Sequence, residues 1–157
     1  VWTCQNARNE RHLQIVRMLI ESGADYTARD YVAIREACRR GFHLIVKYLM
    51  QNYNMDPAET NCLLHACSSE EQFEGGDKLE LIRFLLSDGR VDPNPCFVPA
   101  CRTRSIPIVR LLMLDKRLTE SAMEEGRAIA SQEILQLLDG NDEITTQPKA
   151  TRKCSIL

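Results

Sequence analysis

One apolar stripe recurs along the chain, and its spacing limits the fold more than any other feature. It first runs through Leu13, Ile15, Val16, Met18, Leu19 and Ile20. It returns as Ile45-Val46-Lys47-Tyr48-Leu49, Leu81-Ile82-Arg83-Phe84-Leu85, Ile108-Val109-Arg110-Leu111-Leu112 and Ile134-Leu135-Gln136-Leu137-Leu138. Each copy is one face of a helix. Copies starting at 15, 45, 81, 108 and 134 stand 30, 36, 27 and 26 residues apart, inside the window of repeat architectures. A unit this short cannot bury its own apolar face, so neighbouring units must stack.

A second apolar segment precedes each stripe, marked by the small pairs Ala37-Cys38, Ala66-Cys67 and Ala100-Cys101, with Ala7 in the equivalent place of the first copy. Val32, Ile34 and Ala37 fit helical spacing, as do Leu63, Leu64 and Cys67, so each unit reads as two antiparallel helices. Gly41 is the breaker between them in the second unit. Turn residues follow the stripes: Gly23-Ala24-Asp25, Met55-Asp56-Pro57 and Gly89 to Asn94. Gly allows the positive φ of a helix C-cap and Pro cannot continue a helix. The third unit carries an acidic insertion, Glu70 to Gly76, which has no apolar period and reads as a loop.

His12-Leu13-Gln14-Ile15-Val16-Arg17-Met18-Leu19-Ile20-Glu21-Ser22-Gly23-Ala24-Asp25 resembles the second helix and turn of the ankyrin repeat, and Cys62-Leu63-Leu64-His65 is similar to that repeat's T-P-L-H opening. The likeness covers roughly residues 1 to 139, although the usual unit has 33 residues and most units here are shorter. The tetratricopeptide signature is not present. The resemblance implies an all-α ankyrin-repeat solenoid of five stacked helix-turn-helix units with short hairpin loops over residues 1–140, then a tail over 141–157. The shortening between Asp30 and Ile34 predicts a stubby first hairpin. Because the chain starts at Val1 with Trp2, Cys4 and Ala7 already at helical spacing, the sequence is read as a fragment with further units or another domain ahead of it.

In the ankyrin family nearly every member is a protein-binding module, contacting partners through hairpin tips and the exposed ends of first helices. Carried over, the helix-end positions are Asn9 and Glu10, Arg39 and Arg40, Ser68 and Ser69, Arg102 and Thr103, and the tips are Arg29, Tyr31 and Glu59. The partner-binding candidates are Arg29, Tyr31, Arg39, Arg40, Glu59, Ser68, Arg102 and Thr103. Aromatic and Arg anchors dominate interface energetics. Net charge is only −2, yet Arg8, Arg35, Arg39, Arg40, Arg102 and Arg104 gather on or after first helices, which favours an acidic protein partner. Nucleic acid is disfavoured, since the chain is not basic overall and lacks interleaved stacking aromatics.

The seven cysteines are odd in number, and Cys4, Cys38, Cys67 and Cys101 replace small apolar residues in helices. That usage suits thiols packed as small hydrophobes in a reducing compartment, cytosol or nucleus. Cys62, His65 and Cys67 have no recognised zinc spacing, so no metal is expected, and the resemblance gives His65 a hydrogen bond to the adjacent hairpin. No nucleophile elbow, H-E-x-x-H, Walker loop or dinucleotide fingerprint occurs, nor is a small-molecule substrate implied.

Residues 141–153 are polar, with no apolar period, a composition that predicts disorder. The chain then ends Cys154-Ser155-Ile156-Leu157. This resembles a C-a-a-X box, in which a final Leu points to a geranylgeranyl group on Cys154. Lys149, Arg152 and Lys153 stand just upstream. Basic residues beside an anionic leaflet add about 1 kcal/mol each, so lipid and charge together would form a two-signal anchor. The reading is a non-catalytic adaptor at the cytosolic face of a membrane. A second reading keeps the binding module, soluble and part of a larger protein, and treats the C-terminal match as fortuitous. A third, an enzyme, needs catalytic residues ahead of Val1.

Overall fold

The computed structural model describes residues 2–69 and 77–140, and among these every regular element is an α-helix. The helices are α1 (Trp2–Glu21), α2 (Ala28–Arg40), α3 (His43–Asn52), α4 (Cys62–Ser68), α5 (Lys78–Asp88), α6 (Asn94–Arg102), α7 (Ile106–Met113), α8 (Glu120–Ile129) and α9 (Gln132–Leu138). They contact one another in two rows. One row runs α2, α4, α6, α8, the other α1, α3, α5, α7, α9, and consecutive helices from α2/α3 to α8/α9 tie the rows together.

The core lies between the rows, and the recurrent stripe supplies half of it. Val46, Leu81, Ile82, Leu85, Val109, Leu112 and Ile134 are wholly buried. The small pairs supply the other half: Cys38, Ala66, Cys67 and Ala100 have no exposed surface, and small side chains let the first-row helices approach one another closely. Gly126 in α8 takes this to its limit. A Cβ there would stand 2.6 Å from the Phe97 ring and 3.1 Å from Cys101 Sγ, so α8 seats directly on α6.

Helix ends follow local chemistry. Gly41 ends α2 at φ 76°, with Phe42 N–H donating to the Ala37 carbonyl and Gly41 N–H to that of Cys38, the paired bonds of a Schellman cap. Lys78 N would lie 2.7 Å from a Cβ at this position, so close approach and left-handed backbone both call for glycine. Asp77 caps α5 by accepting from Glu80 N–H, and Thr119 caps α8 by accepting from Ala122 N–H. Arg117 reaches back to the end of α5, donating to the carbonyls of Leu86 at 3.1 Å, Gly89 at 2.9 Å and Val91 at 2.9 Å.

The first unit departs from the expected pair of antiparallel helices. Residues 2–21 form one continuous helix, α1. With Ile15-Val16 set on Ile45-Val46, Gly41 corresponds to Arg11, where a side chain makes the αL turn more costly than at glycine without forbidding it. The same register puts Arg104 on Gly41 in the fourth unit, where it does take a left-handed φ of 54° between α6 and α7.

The expected hairpin tip at Arg29 and Tyr31 is also corrected. Both belong to α2, and both have positive φ, 53° and 59°. Such conformations cost of order 1–3 kcal/mol each in a non-glycine residue. They sit where the unit is three residues short of the usual 33, so the chain enters its helix through a distorted first turn in place of a hairpin. No described helix is long and apolar enough to cross a membrane.

Candidate protein-binding surface

The structure brings the helix-end candidates into one line, because α2, α4 and α6 are consecutive neighbours and Arg39, Ser68 and Arg102 occupy the same register at their C-terminal turns. All three are exposed. Thr103 marks the alignment directly: its hydroxyl donates to the Ala100 carbonyl at 3.0 Å and reaches the Cys67 carbonyl, on α4, at 3.5 Å. That hydroxyl is therefore engaged in holding α6 to α4, and a structural role is added to the recognition role expected of it. Ser68 Oγ likewise donates to the Leu64 carbonyl.

The two arginines of α2 share one acid. Arg39 Nε donates to Glu36 Oε2 at 3.0 Å, and Arg40 Nε donates to Glu36 Oε1. Hydrogen bonds from Arg39 and then Arg40 hold the Glu36 carboxyl below the usual carboxylate range. The trio carries a net charge of +1, not +2, at neutral pH. The sequence held this signal, since Glu36 precedes the arginines by three and four residues, the spacing at which helix side chains meet.

His65 lies on the same side, half-buried in α4. Burial first, and then the charges of Arg35 and Arg39, lower its pKa, so its ring is neutral at physiological pH. It makes no side-chain hydrogen bond among the described residues, contrary to the bond expected with the hairpin. The turn satisfies its own groups instead: Asp56 Oδ1 accepts from Ala58 N–H, and Thr60 Oγ1 donates to the Asp56 carbonyl. Glu59 sits exposed on this turn, between α3 and α4, and is the one expected tip residue found at a loop. Arg29 is exposed at the start of α2, while Tyr31 packs partly against the core.

The cysteines come in twos. Cys38 on α2 neighbours Cys62 on α4, and Cys67 on α4 neighbours Cys96 on α6, all four buried as thiols. Thr60 Oγ1 pairs with Cys62 Sγ at 3.1 Å, and Cys96 Sγ donates to the Asp92 carbonyl at 3.6 Å. Burial pushes the Cys38 thiol up, and that of Cys101 to about 11. No group of three or more metal-ligating side chains stands together among the described residues. The other histidines serve the frame: His12 stacks on Phe42 at 4.8 Å, and His43 Nδ1 lies 3.1 Å from Asn9 Nδ2. Asn9 is 1% exposed, and its Oδ1 has no partner among the described residues.

Sequence reasoning missed an aromatic cluster on the other row. Tyr53 lies between Tyr26, at 5.2 Å, and Tyr48, at 5.7 Å, and the Arg17 guanidinium covers the Tyr48 ring at 4.8 Å. Tyr48 and Tyr53 belong to α3 and its C-cap, but Tyr26 precedes α2 and Arg17 lies on α1, so no single spacing announces the cluster. Cys154, Lys149, Arg152 and Lys153, together with the Glu70 to Gly76 insertion, lie outside the described residues. No family model, no curated protein and no solved structure matches the chain.

Proposed function

We propose that this chain is a non-catalytic, ankyrin-type protein-binding module that grips an acidic partner along the first-row helix ends and is tethered to a cytosolic membrane face by a geranylgeranyl group on Cys154. The observation that carries the binding half is the line of Arg39, Ser68 and Arg102 at matching turns of three neighbouring helices. The alternation of helix contacts between two rows supports the ankyrin-type stacking. Function resides in such a surface and not in the scaffold. The tether rests on the last four residues, with Lys149, Arg152 and Lys153 adding attraction to anionic lipid.

A photo-crosslinking amino acid at Ser68 or Arg102 in living cells should capture a partner protein. The same probe at Arg83, exposed on α5 of the other row, serves as control, and equal capture at all three positions removes the assignment. Intact mass from eukaryotic cells tests the tether separately. A C20 isoprenoid with loss of the last three residues is expected, and an unmodified mass leaves a module without a lipid.

A further inference from the structure

The N-terminal end of the helix rows holds an open apolar groove. It encloses about 350 Å³, and its walls are Ile15 and Leu19 of α1, Ile34 and Ala37 of α2, and Ile45 and Leu49 of α3. The α1 side of the groove is uncovered: Ile15 is 55% exposed and Leu19 53%. Further along, the corresponding place is filled by the unit's own first helix. There α4 contacts both α5 and α6, and α6 contacts both α7 and α8.

Register identifies the segment that would fit. Aligned on the small pairs and stripes, Cys4 falls where the later units bury Ile34, Leu63 and Phe97, and Ala7 falls on Ala37, Ala66 and Ala100. Residues 2–10 thus carry the pattern of a first helix. In their own chain they continue α1 with no turn at residue 11. At about 1.5 Å rise per residue, Ala7 is carried about 12 Å beyond Ile15 along the axis. Two features hold the helix straight: Arg11 stands in place of the turn-forming Gly41, and the contact between Asn9 and His43 clamps the middle of α1 to α3.

We propose that the groove receives residues 2–8 of a second copy of this chain, in a reciprocal exchange that forms a two-fold dimer, while Asn9 stays on α3 of its own chain. Loss of a turn that separates two packed elements converts an intramolecular contact into an exchanged one without new chemistry, a low-cost route to dimers. The exchanged helix brings to its neighbour the side chains that the repeat register calls for, and covers Ile15 and Leu19 on both copies. It requires neither the acidic partner nor the lipid proposed above.

Light scattering on the 157-residue chain should give about twice its mass of 17.9 kDa. Energy transfer then tests the geometry, with Trp2, the single tryptophan, as donor and a coumarin amino acid encoded at Ser22 as acceptor. Within one straight helix these positions are about 30 Å apart, whereas helices packed side by side have axes about 8–10 Å apart. A Trp2 chain without acceptor, co-refolded with a Trp2→Phe chain carrying the acceptor, should show strong transfer. Leu19→Asp, at a position exposed in the single chain, should abolish the dimer while leaving helical content unchanged. A monomer at all concentrations overturns the proposal, as does a dimer without transfer between chains or one that survives Leu19→Asp. Strong transfer within one monomeric chain also overturns it, because α1 would then break at Arg11 as the chain breaks at Arg104.

Discussion

Helices α1 and α7 carry the same stripe and end in opposite circumstances. In register, Ile15 corresponds to Ile108 and Leu19 to Leu112. Ile108 is 3% exposed and Leu112 not at all, whereas Ile15 and Leu19 remain 55% and 53% exposed. The difference does not lie in the stripe. It lies in whether a first-row helix is folded against it, as α6 is against α7 and no first-row helix among the described residues is against α1's groove side. A repeat motif therefore specifies a surface that needs covering, and the neighbour determines whether it is covered.

The largest expected effect tests that contrast directly. Leu112→Ala should cost about 2–5 kcal/mol of unfolding free energy, the range for a truncated core leucine. Leu19→Ala, measured by urea denaturation at a concentration where single chains dominate, should cost less than about 1 kcal/mol, because half its surface already meets water. Equal losses would mean that the stripe in α1 is covered after all.

Next in size is Gly126→Ala at the closed end. A methyl group 2.6 Å from the Phe97 ring forces α8 off α6, and overpacking of this kind costs about 1–3 kcal/mol. A thermal melt coinciding with that of the parent protein would show that α8 sits loosely. Somewhat smaller, Gly41→Ala should destabilise by about 1–2 kcal/mol through its left-handed φ, more if Lys78 cannot yield. Its counterpart Arg11→Ala lies within a helix and should stay within about 0.5 kcal/mol. If the two losses were alike, the register that sets Arg11 on Gly41 would be wrong.

The smallest effect concerns pH. Burial lowers the pKa of His43, and burial together with Arg35 and Arg39 lowers that of His65. Their folded values lie below the ordinary histidine value of 6.5, so the unfolded chain takes up protons first as pH falls. The stability they contribute is complete above the unfolded pKa and is lost as pH drops through the folded values. His43→Gln should therefore flatten the fall in urea midpoint between pH 7.5 and 5.5, and an unaltered slope would assign the fall to other groups.

Much of this architecture was legible beforehand, and the failures have definite causes. The stripes located α3, α5, α7 and α9 because an apolar face repeating at helical spacing has no other stable use. Gly41 announced the turn after α2. The fusion of α1 was not legible from Arg11 in place of glycine, because Arg104 at the same position does turn. Glu36 beside Arg39 and Arg40 was readable from spacing alone. The thiol pairs Cys38/Cys62 and Cys67/Cys96 were not, since they depend on how far α4 slides along its neighbours. Nor did any residue pattern announce that the first turn of α2 would place Arg29 and Tyr31 in left-handed backbone. The length deficit located that disturbance without giving its form.

Arg117 binds the carbonyls at the end of α5 from a loop beyond α7, and in the same loop Thr119 N–H donates to Asn94 Oδ1 at the start of α6. The consequence concerns the order of melting. A helix whose last turn is held by a side chain roughly thirty residues downstream cannot keep its end when that downstream loop detaches, so repeat boundaries are not seams along which the molecule comes apart. Fraying that begins at α9 and passes α7 removes the hold on α5 at the same step. The C-terminal half should then lose amide protection as one block, while in a single chain α1, with no described first-row helix over its groove side, exchanges by itself and earlier.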